Sequence, residues 1–135
     1  MARSAPTALL TLEDAAELGA KLREVDGELL KQPVAGRAQW WVAPERYVEV
    51  SVVSDDEGIA YVEVGVRGRL ARYVRGRGVT TSATDELSLS QRAPASRFER
   101  QHSSVDTAVL DVATALLIAS GDPSLTLAAQ LLRGD

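Results

Sequence analysis

Cysteine is missing altogether from this chain of 135 residues, and histidine occurs once. Without thiols, disulfides, thiolate metal centres and cysteine nucleophiles are excluded. The lone His102 leaves only oxygen ligands for a metal, so neither a metal nor another cofactor is expected. Lysine is scarce too: thirteen of the fifteen basic residues are arginine. Together with the wide use of alanine, glycine, aspartate and valine, this suggests a GC-rich bacterial genome. No apolar run approaches the roughly 18 residues that a membrane span needs. Met1 to Leu12 holds one arginine and only short apolar pairs, too little for a signal-peptide core. The expectation from these absences is a cytoplasmic chain with no membrane contact.

What is present suits a single domain. Hydrophobic residues make up 45% of the chain and charged residues 25%, ordinary values for a globular protein of this size. The net charge of −4 is unevenly spread. Residues 1–63 hold twelve acids against six bases, whereas residues 64–100 hold eight arginines against three acids.

Residues 1–10 read as a flexible leader and residues 11–135 as one α+β domain. Thr11 opens a helix, with Asp14 completing a short capping box. Leu12, Ala15, Leu18, Leu22, Val25 and Leu29 then form one apolar stripe, which predicts a helix to Lys31, stopped by Pro33. From Gln39 the apolar period changes to two. Gln39–Val42, Tyr47–Val53, Ile59–Val66 and Leu70–Arg75 are strands joined by short turns, an antiparallel meander. A two-residue Arg67-Gly68 turn pairs Val66 with Arg69, Glu63 with Arg72 and Tyr61 with Val74. A five-residue Ser54–Gly58 loop pairs Val53 with Ile59 and makes Glu49 and Glu63 neighbours, with Arg72 relieving their repulsion. Val79–Ala83 and Glu86–Gln91 are further strand candidates, with a break at Ala93–Ser96, and Arg97–Gln101 reads as another short strand or as part of a loop. Ser104 caps a late helix with a wide apolar stripe, which Gly121-Asp122-Pro123 ends. Leu125–Leu132 reads equally as a short helix or an edge strand. The expected fold is α+β: an antiparallel meander of four to six strands with N-terminal and C-terminal helices packed on one face. Neighbours in a strand face opposite ways, so one of Trp40 and Trp41 points away from the helices.

The chemistry-bearing residues do not assemble into a catalytic set. His102 stands near Ser103, Ser104 and Asp106, but triad members seldom cluster in one helix cap. Asp55-Asp56-Glu57-Gly58 lacks the spaced ligands of a calcium loop and reads as a turn. Gly65-x-x-Gly68 and Gly76-x-Gly78 punctuate hairpins rather than opening the helix of a dinucleotide site. The arginines of Arg67–Arg77, with Tyr73 among them, resemble a phosphate grip. A nucleic-acid-binding module on this segment is therefore a lesser alternative in a net acidic chain. The uncovered sheet face carries one Trp with Tyr47, Val53, Ile59, Tyr61, Leu70 and Val74, rimmed by Glu49, Glu63 and Arg72, which is interface composition. Later segments of the chain folding over this face would make it core instead, and a homodimer over it is left open. An acid–base role for Glu49, Glu63 and Tyr61 would need a closed pocket with strongly shifted carboxylates.

In outline the chain resembles the small immunity proteins encoded beside bacterial polymorphic or contact-dependent toxins. The matching pieces are the capped helix Thr11–Lys31, the meander Tyr47–Gly78 and the helix Ser104–Pro123, closed by Ala119-Ser120-Gly121-Asp122-Pro123. The resemblance implies a non-enzymatic protein that binds a cognate toxin and blocks its active site, with no catalytic residues. It also implies that acids such as Asp55, Asp56 and Glu57 suit a basic nuclease. The partner-contacting candidates are then Trp40, Trp41, Tyr47, Glu49, Asp55, Asp56, Glu57, Tyr61, Glu63 and Arg72. The main rival is an acidic α+β secretion chaperone that holds an extended effector segment and resembles an obligate dimer.

Overall fold

The computed structural model describes residues 9–33, 35–45, 47–84, 99–101 and 104–134. In chain order the elements are α1 (Leu12–Gly19), β1 (Arg23–Glu24), a 3₁₀ turn (Gly27–Leu29), β2 (Arg37–Val42), β3 (Val48–Asp55), β4 (Gly58–Val66), β5 (Arg69–Val74), β6 (Gly78–Thr84), β7 (Glu99–Gln101), α2 (Thr107–Ala119) and α3 (Pro123–Arg133). The strands form one antiparallel sheet whose spatial order is the chain order. The meander is thus as expected, with β7 inside the candidate segment Arg97–Gln101, and it gains one very short edge strand, β1, where the sequence predicts helix. The strand and break expected over 86–96, together with His102 and Ser103, lie outside the described residues.

Alternation puts Val48, Val50, Val52, Val62, Val64 and Val66 on one face, each no more than 2% exposed. Helices α2 and α3 lie against β4 and β5, and α1 packs on α2. Leu116, Leu117, Leu125 and Leu132 join the valines, Trp41 and Ala71 in one buried cluster. The fold is α+β, with its described helices on the valine side. Leu10 also belongs to this cluster at 5% exposure, although the sequence places it in the leader.

The registers differ in how well local chemistry determines them. Arg67 and Gly68 both take positive φ, 50° and 85°, the two-residue turn whose twist suits a hairpin. It sets Glu63 opposite Arg72 and Tyr61 opposite Val74, as the sequence predicts. Between β3 and β4 the loop is shorter than expected: Asp55 pairs with Gly58, and Ala60 is then skipped so that Val53 pairs with Tyr61. The slip from the shorter turn and the bulge together is two residues, which preserves the valine face because side chains alternate with period two. It also corrects two expectations. Glu49 now faces Gly65, and Ser51 faces Glu63, so the two carboxylates are not directly opposed. Ile59 passes to the core side, where it packs against the buried cluster.

The first helix is shorter than its apolar stripe. The Asp14 amide donates to Thr11 Oγ1 at 3.0 Å, as the capping signature predicts. The helix nevertheless ends at Gly19, its last amides tightening into short-range bonds at Lys21 and Leu22. The chain then turns to cover the edge of β2: Arg23 and Glu24 pair with Val42 and Trp41, and the Val25 amide donates to the Trp40 carbonyl at 2.7 Å. Beyond β1 the Gln32 carboxamide continues this role, accepting from the Ala38 amide at 2.8 Å and donating to the Ala38 carbonyl at 3.2 Å. An edge that would otherwise present free backbone groups is closed in this way. Leu29, on the predicted stripe, is left 77% exposed.

The late helix is capped by Asp106, not Ser104. Its carboxylate accepts from the amides of Ala108 and Val109, while its own amide donates to Thr81 Oγ1 of β6 at 2.9 Å. The tail is a helix: Asp122 caps it, Pro123 occupies its first turn, and Gly134 closes it at φ 82°.

Helix α1 comes close to α2 at Gly19, where a Cβ would sit 2.1 Å from the Leu116 carbonyl oxygen. Replacing a helical glycine by alanine ordinarily stabilises by about 0.5–1 kcal/mol. Here the methyl must push two backbones apart, so Gly19→Ala should instead destabilise by about 1–3 kcal/mol. A lower urea midpoint with unchanged slope is the expected result. Gln32→Ala should leave the unfolding free energy within about 1 kcal/mol of the parent's but accelerate hydrogen exchange at the Ala38 amide.

Candidate functional site

The side of the sheet away from the valines is built by the same alternation. Trp40, Glu49, Ser51, Val53, Tyr61, Glu63, Leu70, Arg72 and Val74 project there, while Trp41 is 3% exposed within the core. Of the two tryptophans, Trp40 is therefore the outward one, and Trp41 drops out as a contact residue. Apart from the exposed Glu49, these residues are half-buried rather than bare.

Two polar networks stand on this face. On β4 and β5, the Tyr61 hydroxyl donates to Glu63 Oε1, which also accepts from Arg72 Nε at 3.3 Å and Nη2 at 3.2 Å. Burial, and then the hydrogen bond to the Glu63 carboxylate, push the Tyr61 phenol from its ordinary 10.0 up to about 12; the Arg72 charge opposes this in part. A phenol held protonated that firmly is a poor general base at neutral pH. On β2 and β3, the Trp40 indole N–H donates to Glu49 Oε1 at 2.8 Å. The structure thus joins Glu63 and Arg72 as the cross-strand reading predicts, and adds the Tyr61 hydroxyl to the pair from two residues along the same strand. The indole–carboxylate bond was not anticipated, because it depends on which tryptophan faces outward and on the β2–β3 register of Trp40 opposite Ser51.

Trp40 and Glu49 form the ridge between two shallow grooves. One, of about 280 Å³, is walled by Leu30, Lys31, Ala38, Ser51 and Val53. The other, of about 260 Å³, is walled by Val42, Ala43, Glu45 and Tyr47. Tyr47 is 56% exposed and holds a left-handed backbone at φ 66°, an uncommon state for a bulky residue. The surrounding turn holds it there: the Arg67 amide donates to the Tyr47 carbonyl at 2.9 Å. The Arg67 guanidinium grips Glu45 by two bonds, Nη2 to Oε1 at 2.7 Å and Nε to Oε2. That grip holds the Glu45 carboxyl below its usual range and raises Arg67.

Asp55, Asp56 and Glu57 lie at the other end of the sheet, in the β3–β4 turn. They line a recess of about 440 Å³ with Ala35, Gly36 and Arg75. Arg75 donates to both Asp55 oxygens, and that bond lowers the Asp55 carboxyl below its ordinary value. Arg75 also lies 3.8 Å from Glu57. The acidic turn is therefore partly neutralised by the chain itself and is remote from the Trp40 ridge. Among the described residues no group of three or more His, Asp or Glu side chains is placed to hold a metal ion. No helix there is long and apolar enough to cross a membrane.

Because the folded state raises the Tyr61 pKa, the stability that this hydroxyl contributes is fully present below about pH 10. It is lost as pH rises through about 12. Tyrosinate absorbance should accordingly show a late-titrating component that disappears in Tyr61→Phe. If all tyrosines titrate together near their ordinary value, the buried network is wrong.

No family model matches the chain, and neither a curated protein nor a solved structure matches it.

Proposed function

We propose that this chain is a non-catalytic protein-binding module whose partner is a bacterial toxin that it neutralises. The observation that carries the binding part is the one-sided arrangement of the layers. The described helices stand on the valine face, while the opposite face sets Trp40, Tyr61, Glu49, Glu63 and Arg72 into ordered pairs. Aromatic rings and arginine concentrate binding energy at interfaces, and side chains already held in place lose less entropy when a partner docks.

The chemistry of the site argues against catalysis by its most reactive trio. Tyr61 stays protonated, and Glu63 is shared between that phenol and Arg72. Nucleic-acid binding is disfavoured by the ion pairs: Arg67 engages Glu45, Arg72 engages Glu63, and Arg75 engages Asp55. Cations committed to the chain's own carboxylates release fewer counterions from a phosphate backbone. The toxin assignment is supported by the outline shared with immunity proteins. Asp56 and Glu57, exposed at the β3–β4 turn, add charge that would steer a basic partner towards the chain.

Growth rescue is the direct test. Each toxin-like gene neighbouring this one should arrest growth when expressed alone, and one of them should become harmless when this chain is co-expressed. If every such gene still kills, the toxin assignment fails. An obligate dimer encoded in a secretion operon would point to the effector-chaperone reading instead.

A further inference from the structure

We infer that the groove between Trp40 and Tyr47 is a receptor for a single cationic side chain, an arginine or lysine on a basic segment of the protein partner. The inference rests on the protein-binding reading only in that the cation arrives on a polypeptide. It begins from an imbalance in the charges of the sheet. Glu45, Asp55 and Glu63 are each answered by an arginine of this chain. Glu49 is exposed near the start of β3, and its described bond is to an indole N–H, which neutralises no charge. Among the described residues no cation pairs with it.

The surroundings of Glu49 suit a cation brought from outside. The Trp40 ring stands beside the carboxylate and is bonded to it at 2.8 Å. Indole is the best of the aromatic faces for a cation, and a planar guanidinium both stacks on a ring and bonds a carboxylate. Tyr47 supplies a second aromatic wall and Val42 an apolar floor for the aliphatic stem. The Tyr47 backbone is strained and held by the Arg67 amide. Strain of this kind persists where neighbours over-determine it, often at ligand sites.

The nearby charges choose between the two grooves. Lys31 lines the groove on the far side of Trp40 and would repel a second cation. Among the described residues no cation lines the groove on the Tyr47 side, and Arg67, whose amide bonds the Tyr47 carbonyl, is itself paired with Glu45. Among the described residues the Tyr47 side is therefore left with the charge of Glu49 unbalanced. The match is one of charge and shape: an open groove of about 260 Å³ with a carboxylate at its edge and aromatic walls.

The test uses the whole chain and short capped peptides. Ac-Gly-Arg-Gly-amide is the cationic probe, its lysine counterpart separates ammonium from guanidinium, and the citrulline counterpart is the neutral isostere. The readout is the indole N–H resonance of Trp40, assigned by its loss in Trp40→Phe. The arginine peptide should shift this resonance saturably, and added salt should weaken the effect. Glu49→Gln keeps an oxygen for the indole N–H and removes the charge, so it should weaken binding about two- to fivefold. Equal shifts from arginine and citrulline peptides, no shift from either cation, or unchanged affinity in Glu49→Gln would each overturn the cation site, whatever the growth rescue shows. Failure of the rescue with a charge-dependent shift intact would remove the toxin and keep the site.

Discussion

With Val50 opposite Val64 and Val52 opposite Val62, one choice of register creates both faces of the sheet. Six valines, each withdrawn from water, meet the leucines of α2 and α3, and a side chain of that size contributes about 1.5–3 kcal/mol when fully buried. By alternation, the same pairing sends Glu49, Ser51, Tyr61 and Glu63 to the other side. A slip of two residues would keep the valines buried, so burial alone does not choose between the two registers. The alternative would set Glu49 opposite Glu63. Like charges directly opposed destabilise a sheet, whereas the bulge at Ala60 gives Glu49 a glycine for its neighbour. The space above Gly65 is taken by the Leu70 side chain at 3.3 Å from where a Cβ would stand.

The polar side of the molecule follows from that spacing. Glu63, with its neighbour on β3 reduced to a serine, is available to the Tyr61 hydroxyl and the Arg72 guanidinium. At the two ends of the sheet the same device recurs, with Arg67 tying the β4–β5 turn to Glu45 and Arg75 tying the β5–β6 turn to Asp55. These clamps are half-exposed and individually worth little to stability. Their consequence is geometric, since they tie each turn to a neighbouring segment and place the Arg67 amide on the Tyr47 carbonyl at the rim of the groove.

Much of this was legible. The β4–β5 register follows from one two-residue turn, and a turn is a local matter of φ angles at Arg67 and Gly68. Thr11 announced its helix, since capping is a bond within three residues. The tail helix carried comparable signals in Asp122, Pro123 and Gly134, which outweigh the ambiguity of Leu125–Leu132. Other features were not local. The helix predicted to run to Lys31 gives way at Gly19 because β2 needs a partner along its edge, and Arg23, Glu24 and Gln32 supply it. Asp106 displaces Ser104 as a cap because its amide is anchored to Thr81, twenty-five residues away.

From the amino-acid order alone came the α+β class, the meander, the valine face, the Glu63–Arg72 pair and the rule that one tryptophan must face outward. Each depends on period, turn chemistry or capping, which act over a few residues. Only the folded chain decided that Trp40 is the outward one, that it bonds Glu49, and that Asp55 is claimed by Arg75. Those outcomes depend on register between strands and on which edges find partners, and both are settled by the energy of the whole sheet against its helices.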